Sequence, residues 1–169
     1  SFAAMQERDS YASSWFGAVP YQRESHALVL EYLGEYDSGL SVQAGLRHAF
    51  NANFTDATTW NVGLSYPVAQ VGARLHGSVG RAVVNPSMYE QFGYVPGTYA
   101  GNPNLRPETA MGYDLGVEWG FASGKGLLDV TLFQQNLQDK IQSAGRSAVN
   151  LPGTSTRKGV EVAASLQAS

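Results

Sequence analysis

The sequence predicts an all-β fold, an antiparallel meander of about eight strands, each long enough to cross a bilayer. Three observations lead to that class. Apolar and polar residues alternate along most strand candidates, which gives each strand one greasy and one polar or bare face, because strand side chains repeat every two residues. Short and long connections alternate along the chain, as in barrels that keep tight turns on one side of a membrane and large loops on the other. Aromatic residues collect where strands meet the short turns, the place of an interfacial girdle.

In chain order, the first strand, around residues 2–8, has the weakest pattern. The second, about 26–36, puts Leu28, Leu30, Tyr32 and Tyr36 on one face and Glu31 and Glu35 on the other, beside Ala27, Val29 and Leu33. The third, 40–50, sets Leu40, Val42, Ala44, Leu46 and Phe50 against Ser41, Gln43, Gly45 and Arg47. Trp60, Val62, Leu64 and Tyr66 oppose Asn61, Gly63 and Ser65 in the fourth; Val71, Ala73, Leu75 and Val79 oppose Gly72, Arg74, His76, Ser78 and Gly80 in the fifth. The sixth alternates without error: Met111, Tyr113, Leu115, Val117, Trp119 and Phe121 against Gly112, Asp114, Gly116 and Glu118. The seventh carries Leu128, Val130 and Leu132 opposite Asp129 and Thr131, and the eighth Val160, Val162 and Leu166 opposite Gly159, Glu161 and Ser165.

The short connections are 37–39, 67–70 and 122–126, and the long ones 9–25, 51–58, 84–107 and 142–156. Tyr36, Tyr66, Trp119 and Phe121 fall beside short turns. Charges in strand middles keep to the polar face; the parity exceptions, Arg81 and Lys158, sit near strand ends where a long side chain can reach the headgroups. A half-buried strand of a soluble sandwich alternates in the same way, but has no reason to alternate its loop lengths.

Composition narrows the function classes. The net charge of −3 offers no basic patch for nucleic acid, and the absence of cysteine removes disulfides, thiolate metal sites and cysteine nucleophiles. No apolar run approaches the roughly 20 residues of a transmembrane helix, and Ser1 opens no signal peptide. Nineteen glycines, nine tyrosines and only 15% charged residues suit a β protein whose outer face does not meet water. The few histidines and acids share no metal spacing, and no serine sits in a nucleophile elbow, so catalysis has no support and no cofactor is expected.

The most specific stretch is Gly101, Asn102, Pro103, Asn104, Leu105, Arg106, Pro107 and Glu108, which joins the longest loop to the cleanest strand. Its prolines set φ and end the loop, its asparagines can bond their own backbone in turns, and Glu108 can anchor the loop base. With Gly45-Leu46-Arg47, Gly63-Leu64-Ser65-Tyr66, Val83-Val84-Asn85-Pro86, Phe133 with Asp139-Lys140-Ile141, and Lys158-Gly159-Val160-Glu161, in that order, it resembles the barrel domain of TonB-dependent outer-membrane receptors. The departure is at Val83 and Asn85, where the family pattern has an aromatic and an alanine.

The resemblance implies part of a barrel of about 22 strands filled by a separate plug domain. It also implies a place in the bacterial outer membrane, and import of iron-siderophore, cobalamin or a similar nutrient with energy from the TonB complex, reached through the plug. On that basis residues 1–169 are expected to be an internal barrel segment without plug, TonB box or C-terminal strand. Its partners are then outer-membrane lipid and a small-molecule nutrient. Two alternatives stand beside it: a complete eight-stranded barrel serving as adhesin or anchor, and a soluble sandwich that binds a ligand. A closed eight-stranded barrel needs a filled interior, whereas Gly45, Gly63, Gly72, Gly80, Gly112, Gly116 and Gly159 are expected to leave room.

Two groups of candidate residues follow. Tyr89, Phe92, Tyr94 and Tyr99 cluster in the 84–107 loop, where amphipathic rings can grip a ligand or pack only on one another. On the polar, lumen-facing side, Arg47, Arg74 and His76 can meet an anionic chelate or the plug, but are expected to pair with Asp114, Glu118 or Glu161. The resemblance also implies that a haem importer would carry a histidine in the 84–107 loop, and residues 87–100 contain none, so haem import is disfavoured, although a tyrosine can ligate haem.

Overall fold

The computed structural model describes residues 1–12, 21–52, 54–121 and 125–167. Eight long strands form one antiparallel sheet in chain order: β1 (Phe2–Tyr11), β2 (Tyr21–Glu35), β3 (Ser41–Asn51), β4 (Ala57–Val68), β5 (Ala73–Val84), β8 (Glu108–Phe121), β9 (Gly126–Gln138) and β12 (Thr154–Leu166). A short helix α1 (Met88–Phe92) and the hairpin β6 (Tyr94–Val95) with β7 (Tyr99–Ala100) lie between β5 and β8; β10 (Ile141–Ala144) pairs with β11 (Ser147–Asn150) between β9 and β12. β1 and β12 occupy opposite edges of the sheet and do not pair, so the meander is open and is not a closed eight-stranded barrel.

Register turns the one-dimensional alternation into two continuous faces. One row across the sheet reads Gly34, Val42, Leu64, Gly77, Leu115, Leu132 and Val160, without a polar side chain. The neighbouring row on the other face reads Gln43, Gly63, Ser78, Asp114, Phe133 and Gly159. Leu115, Leu132 and Val160 are 64%, 55% and 59% exposed, so no second layer covers the apolar face. The buried apolar side chains among the described residues are Ala27, Ala49, Met88, Pro86, Leu105 and Ala148, and most of these belong to the loops rather than to the sheet. A soluble sandwich has to hide its apolar face, and no layer among the described residues covers this one.

Tyr32, Tyr36, Tyr66 and Trp119 stay exposed near the short-turn ends. The Trp119 indole donates to the Val71 carbonyl at 3.0 Å, and the Tyr32 and Tyr36 hydroxyls meet at 2.8 Å, giving each ring a polar tip beside an apolar body.

Several expectations change. β1 runs on to Tyr11 and β2 starts back at Tyr21, so both flanks of the expected 9–25 loop, residues 9–11 and 21–25, are paired strand, with the Asp9–Arg23 ion pair across them. Val71 belongs to a 3-10 turn, Ala69–Val71, rather than to the fifth strand; left-handed Gly72, at φ 62°, closes that turn, so it does not line a face. The remaining glycines do not simply leave space. Asn61 lies over Gly45 and beside Gly80, the Phe133 ring over Gly159, and His76 with Thr131 over Gly116; only Gly63 and Gly112 among them are open.

In the intact membrane-embedded protein, Leu115→Arg places a cation on the apolar face at a cost of about 2–4 kcal/mol. Gly112→Arg projects from the other face, where an added Cβ meets nothing within 4 Å. Folded-band shift on unheated gels is expected to fall for Leu115→Arg and to persist for Gly112→Arg; equal loss contradicts the assignment of faces.

Candidate ligand-capture loops and polar wall

The octapeptide joins the two large loops. Asn102 Oδ1 accepts from the Asn104 amide at 3.0 Å, an Asx turn, while its Nδ2 donates to the Ala148 carbonyl at 2.9 Å. The Asn102 and Gly101 amides donate to the Glu90 and Gly93 carbonyls at 2.8 and 2.7 Å, and Ala100 N donates to the Arg146 carbonyl at 2.8 Å. A Cβ on Gly101 would lie 2.5 Å from the Gln91 carbonyl, so glycine allows this close approach to α1. Leu105 is buried, Arg106 pairs with Asp139, and Glu108 accepts from the Ile141 amide. Pro103 is exposed and Pro107 half-buried at the loop base.

Asn150 completes the junction. Its Oδ1 accepts from Arg106 N at 2.8 Å, and its Nδ2 donates to the Arg106 and Asp139 carbonyls at 2.9 and 2.7 Å. One carboxamide therefore satisfies three backbone groups in two loops. Asn150 escaped sequence reasoning because its partners lie 44 and 11 residues away.

The aromatic loop is ordered by local chemistry and by stacking. Ser87 and Glu90 form a capping box on α1, each side chain taking the other's backbone amide. Tyr89 stacks on Tyr99 at 4.7 Å, and Phe92 stacks on Tyr21 of β2 at 4.3 Å. Tyr89 and Tyr94 are 46% and 37% exposed, whereas Phe92 and Tyr99 are half-buried. Burial pushes the Tyr99 phenol above its usual range, with Tyr89 and Glu90 adding to the shift, so its hydroxyl stays protonated and donates to the Glu90 carbonyl. The four candidate rings thus divide into two that fix the loop and two that present a face to solvent. At the loop's entry, Asn85 Oδ1 is buried without a hydrogen-bond partner, at the position where the sequence departs from the family pattern.

On the polar face, Arg74 makes a two-point contact with Glu118 directly across β5 and β8, at 3.1 and 3.0 Å. His76 does not pair with Asp114, Glu118 or Glu161. It reaches across the bare Gly116 to Asp129 on β9 at 2.8 Å, and Thr131 donates to the same carboxylate. Asp114 accepts from Ser78. Among the described residues Arg47 and Glu161 form no ion pair, which corrects the expected pairing for both. An open depression of about 410 Å³ along this face is lined by Gln43, Ser65, Arg74, His76, Ser78 and Asp114. No cluster of three metal-ligating side chains occurs among the described residues.

Comparison with known proteins places this two-faced meander. The family model described as TonB dependent receptor-like, beta-barrel matches residues 6–168. The chain belongs to this family. Its members are outer-membrane transport receptors of bacteria. The siderophore receptor PirA from Pseudomonas aeruginosa superposes with a TM-score of 0.83 at 21% identity, over 95% of this chain and 32% of that one. A variant of the ferric enterobactin receptor PfeA from the same organism, in complex with enterobactin, gives 0.71 at 20% identity, over 85% and 24%. A double mutant of the Serratia marcescens hemophore receptor HasR, in complex with its hemophore HasA and heme, gives 0.71 at 13% identity, over 87% and 32%. The chain spans about a third or less of the length of these receptors, and the likenesses carry the fold. No curated protein matches the chain.

Asn150→Ala removes three hydrogen bonds from the loop junction, each worth about 0.5–1.5 kcal/mol net. Tryptic cleavage at Arg146 in the intact receptor is expected to quicken by roughly tenfold or more, since about 1.4 kcal/mol is a factor of ten in local opening. An unchanged cleavage rate contradicts the keystone role.

Proposed function

We propose that this chain supplies wall and outward loops to an outer-membrane receptor that captures a ferric siderophore and imports it with TonB-coupled energy. The observation that carries the proposal is the pairing of a membrane-suited sheet with a built, cross-braced pair of large loops. That combination fits a receptor better than an adhesin or anchor, because loops that serve only as linkers need no such bracing. The fold likeness to PirA and PfeA, named for a siderophore and for ferric enterobactin, favours an iron chelate over cobalamin. The likeness to HasR rests on 13% identity and does not by itself favour haem.

In this account the apolar face contacts lipid and the polar face lines the lumen, with Arg47, Arg74, His76, Asp114, Glu118 and Glu161 facing a plug domain or the passing chelate. Residues 101–108 hold the loop base. Tyr89 and Tyr94 offer ring faces to the ligand while Phe92 and Tyr99 keep the loop in shape. A tyrosine ring gives large contact area at low entropy cost, which suits a planar or chelated nutrient.

The test uses the intact receptor, with ferric enterobactin, a ferric hydroxamate and haem as probes. Tyr89→Ala with Tyr94→Ala is expected to weaken binding of the recognised iron chelate by about tenfold or more while the folded band keeps its melting temperature. Uptake is expected to stop when TonB is deleted. Unchanged affinity with normal folding removes the two rings from the site, and TonB-independent uptake contradicts the transport reading.

A further inference from the structure

The Arg23 guanidinium, only 17% exposed, joins four separate pieces of chain. From β2 its Nε and Nη2 donate to Asp9 Oδ2 on β1 at 3.1 and 2.5 Å. Its Nη1 donates to the Pro86 carbonyl at 2.8 Å, and the group lies 5.5 Å from the Phe54 ring centroid in the β3–β4 connection. Pro86 is fully buried and immediately precedes Ser87, the N-cap of α1. Two residues before Arg23 on the same strand, Tyr21 stacks on Phe92, the last residue of α1, with the rings 5° from parallel. β2 therefore grips α1 at both ends, and α1 carries Tyr89, which stacks on Tyr99.

This grip is separate from the octapeptide junction. Asn102, Asn150 and Glu108 tie the later half of the loop to the 139–151 segment, while Arg23 ties its entry to the β1–β2 extension. A planar fork can serve the Asp9 carboxylate and the Pro86 carbonyl at once, and a point-charge ammonium cannot reproduce that geometry.

We infer that Arg23 is a positioning residue for ligand capture: through Pro86 and α1 it fixes the Tyr89 ring before the ligand arrives. The inference rests on the proposal that this loop binds an iron chelate. A loop ordered in advance avoids the entropy cost of ordering on binding, so loss of the tie lowers affinity without touching the ligand.

The experiment uses the intact receptor in bilayers, with a nitroxide on Thr98→Cys and ferric enterobactin, or whichever iron chelate the wild type binds, as probe. Arg23→Gln is expected to raise nitroxide mobility and weaken binding on the order of tenfold, with an unchanged folded-band melting temperature. Arg23→Lys is expected to fall between it and wild type, and Asp9→Asn, which leaves the Pro86 bond in place, to have the smallest effect. Unchanged mobility in Arg23→Gln overturns the inference, as does raised mobility with unchanged affinity. Loss of the folded band overturns it too, because the barrel itself would then need the residue. A wild type that binds no iron chelate overturns the functional proposal instead, and nitroxide mobility then decides the Arg23 tie alone.

Discussion

Backbone hydrogen bonding carried in one unbroken antiparallel register is the constraint on which the rest of this structure depends. In hydrocarbon an unpaired amide or carbonyl costs several kcal/mol, so a sheet can cross only if each strand finds its neighbour. From β1 to β12 the chain meets that demand with seven consecutive pairings. Register also decides which solvent each side chain meets: a slip of one residue at β8 would carry Leu115 to the polar face and Asp114 to the apolar one. The scarcity of buried apolar side chains fits the proposed lipid contact, since a sheet solvated by lipid on one face would need no internal core.

Relieved of building a core, the chain spends its close packing in two other places. On the polar face glycines act as notches for neighbouring side chains: bare Gly116 lets His76 cross β8 to reach Asp129, and Gly159 receives the Phe133 ring. In the two large loops, Pro86, Met88, Leu105 and Ala148 are buried, and the Asn102, Asn150 and Glu108 side chains bond backbone groups across the loops. Long connections are the usual place for conformational freedom. These two instead brace each other, which suits a surface that has to present ring faces in fixed positions.

The sheet was legible because its physics is local and periodic. Alternation in β8 reads directly as two faces, and contrasting loop lengths read as two sides of a membrane. The loops were legible only in part. The octapeptide announces a turn, and the loop tyrosines announce amphipathic rings, but Asn150 and Arg23 look like ordinary polar residues in sequence. Their roles depend on Arg106 and Pro86, 44 and 63 residues away, and nothing local signals such a meeting. The His76 partner was misjudged for a related reason: cross-strand pairing looks one strand away, and the bare Gly116 let the ring reach two. Val71 was misplaced because apolar alternation runs on through a turn that Gly72 had already closed.

The central claim, that one face of this meander meets lipid and the other does not, is tested most directly by site-directed spin labelling along positions 111–119 of the intact receptor in bilayers. Accessibility to oxygen, which partitions into lipid, is expected to peak at 111, 113, 115, 117 and 119 and to fall at the positions between, a period of two matching the register of β8. Accessibility that is uniform along the strand, or that peaks at 112, 114 and 118, would contradict the account.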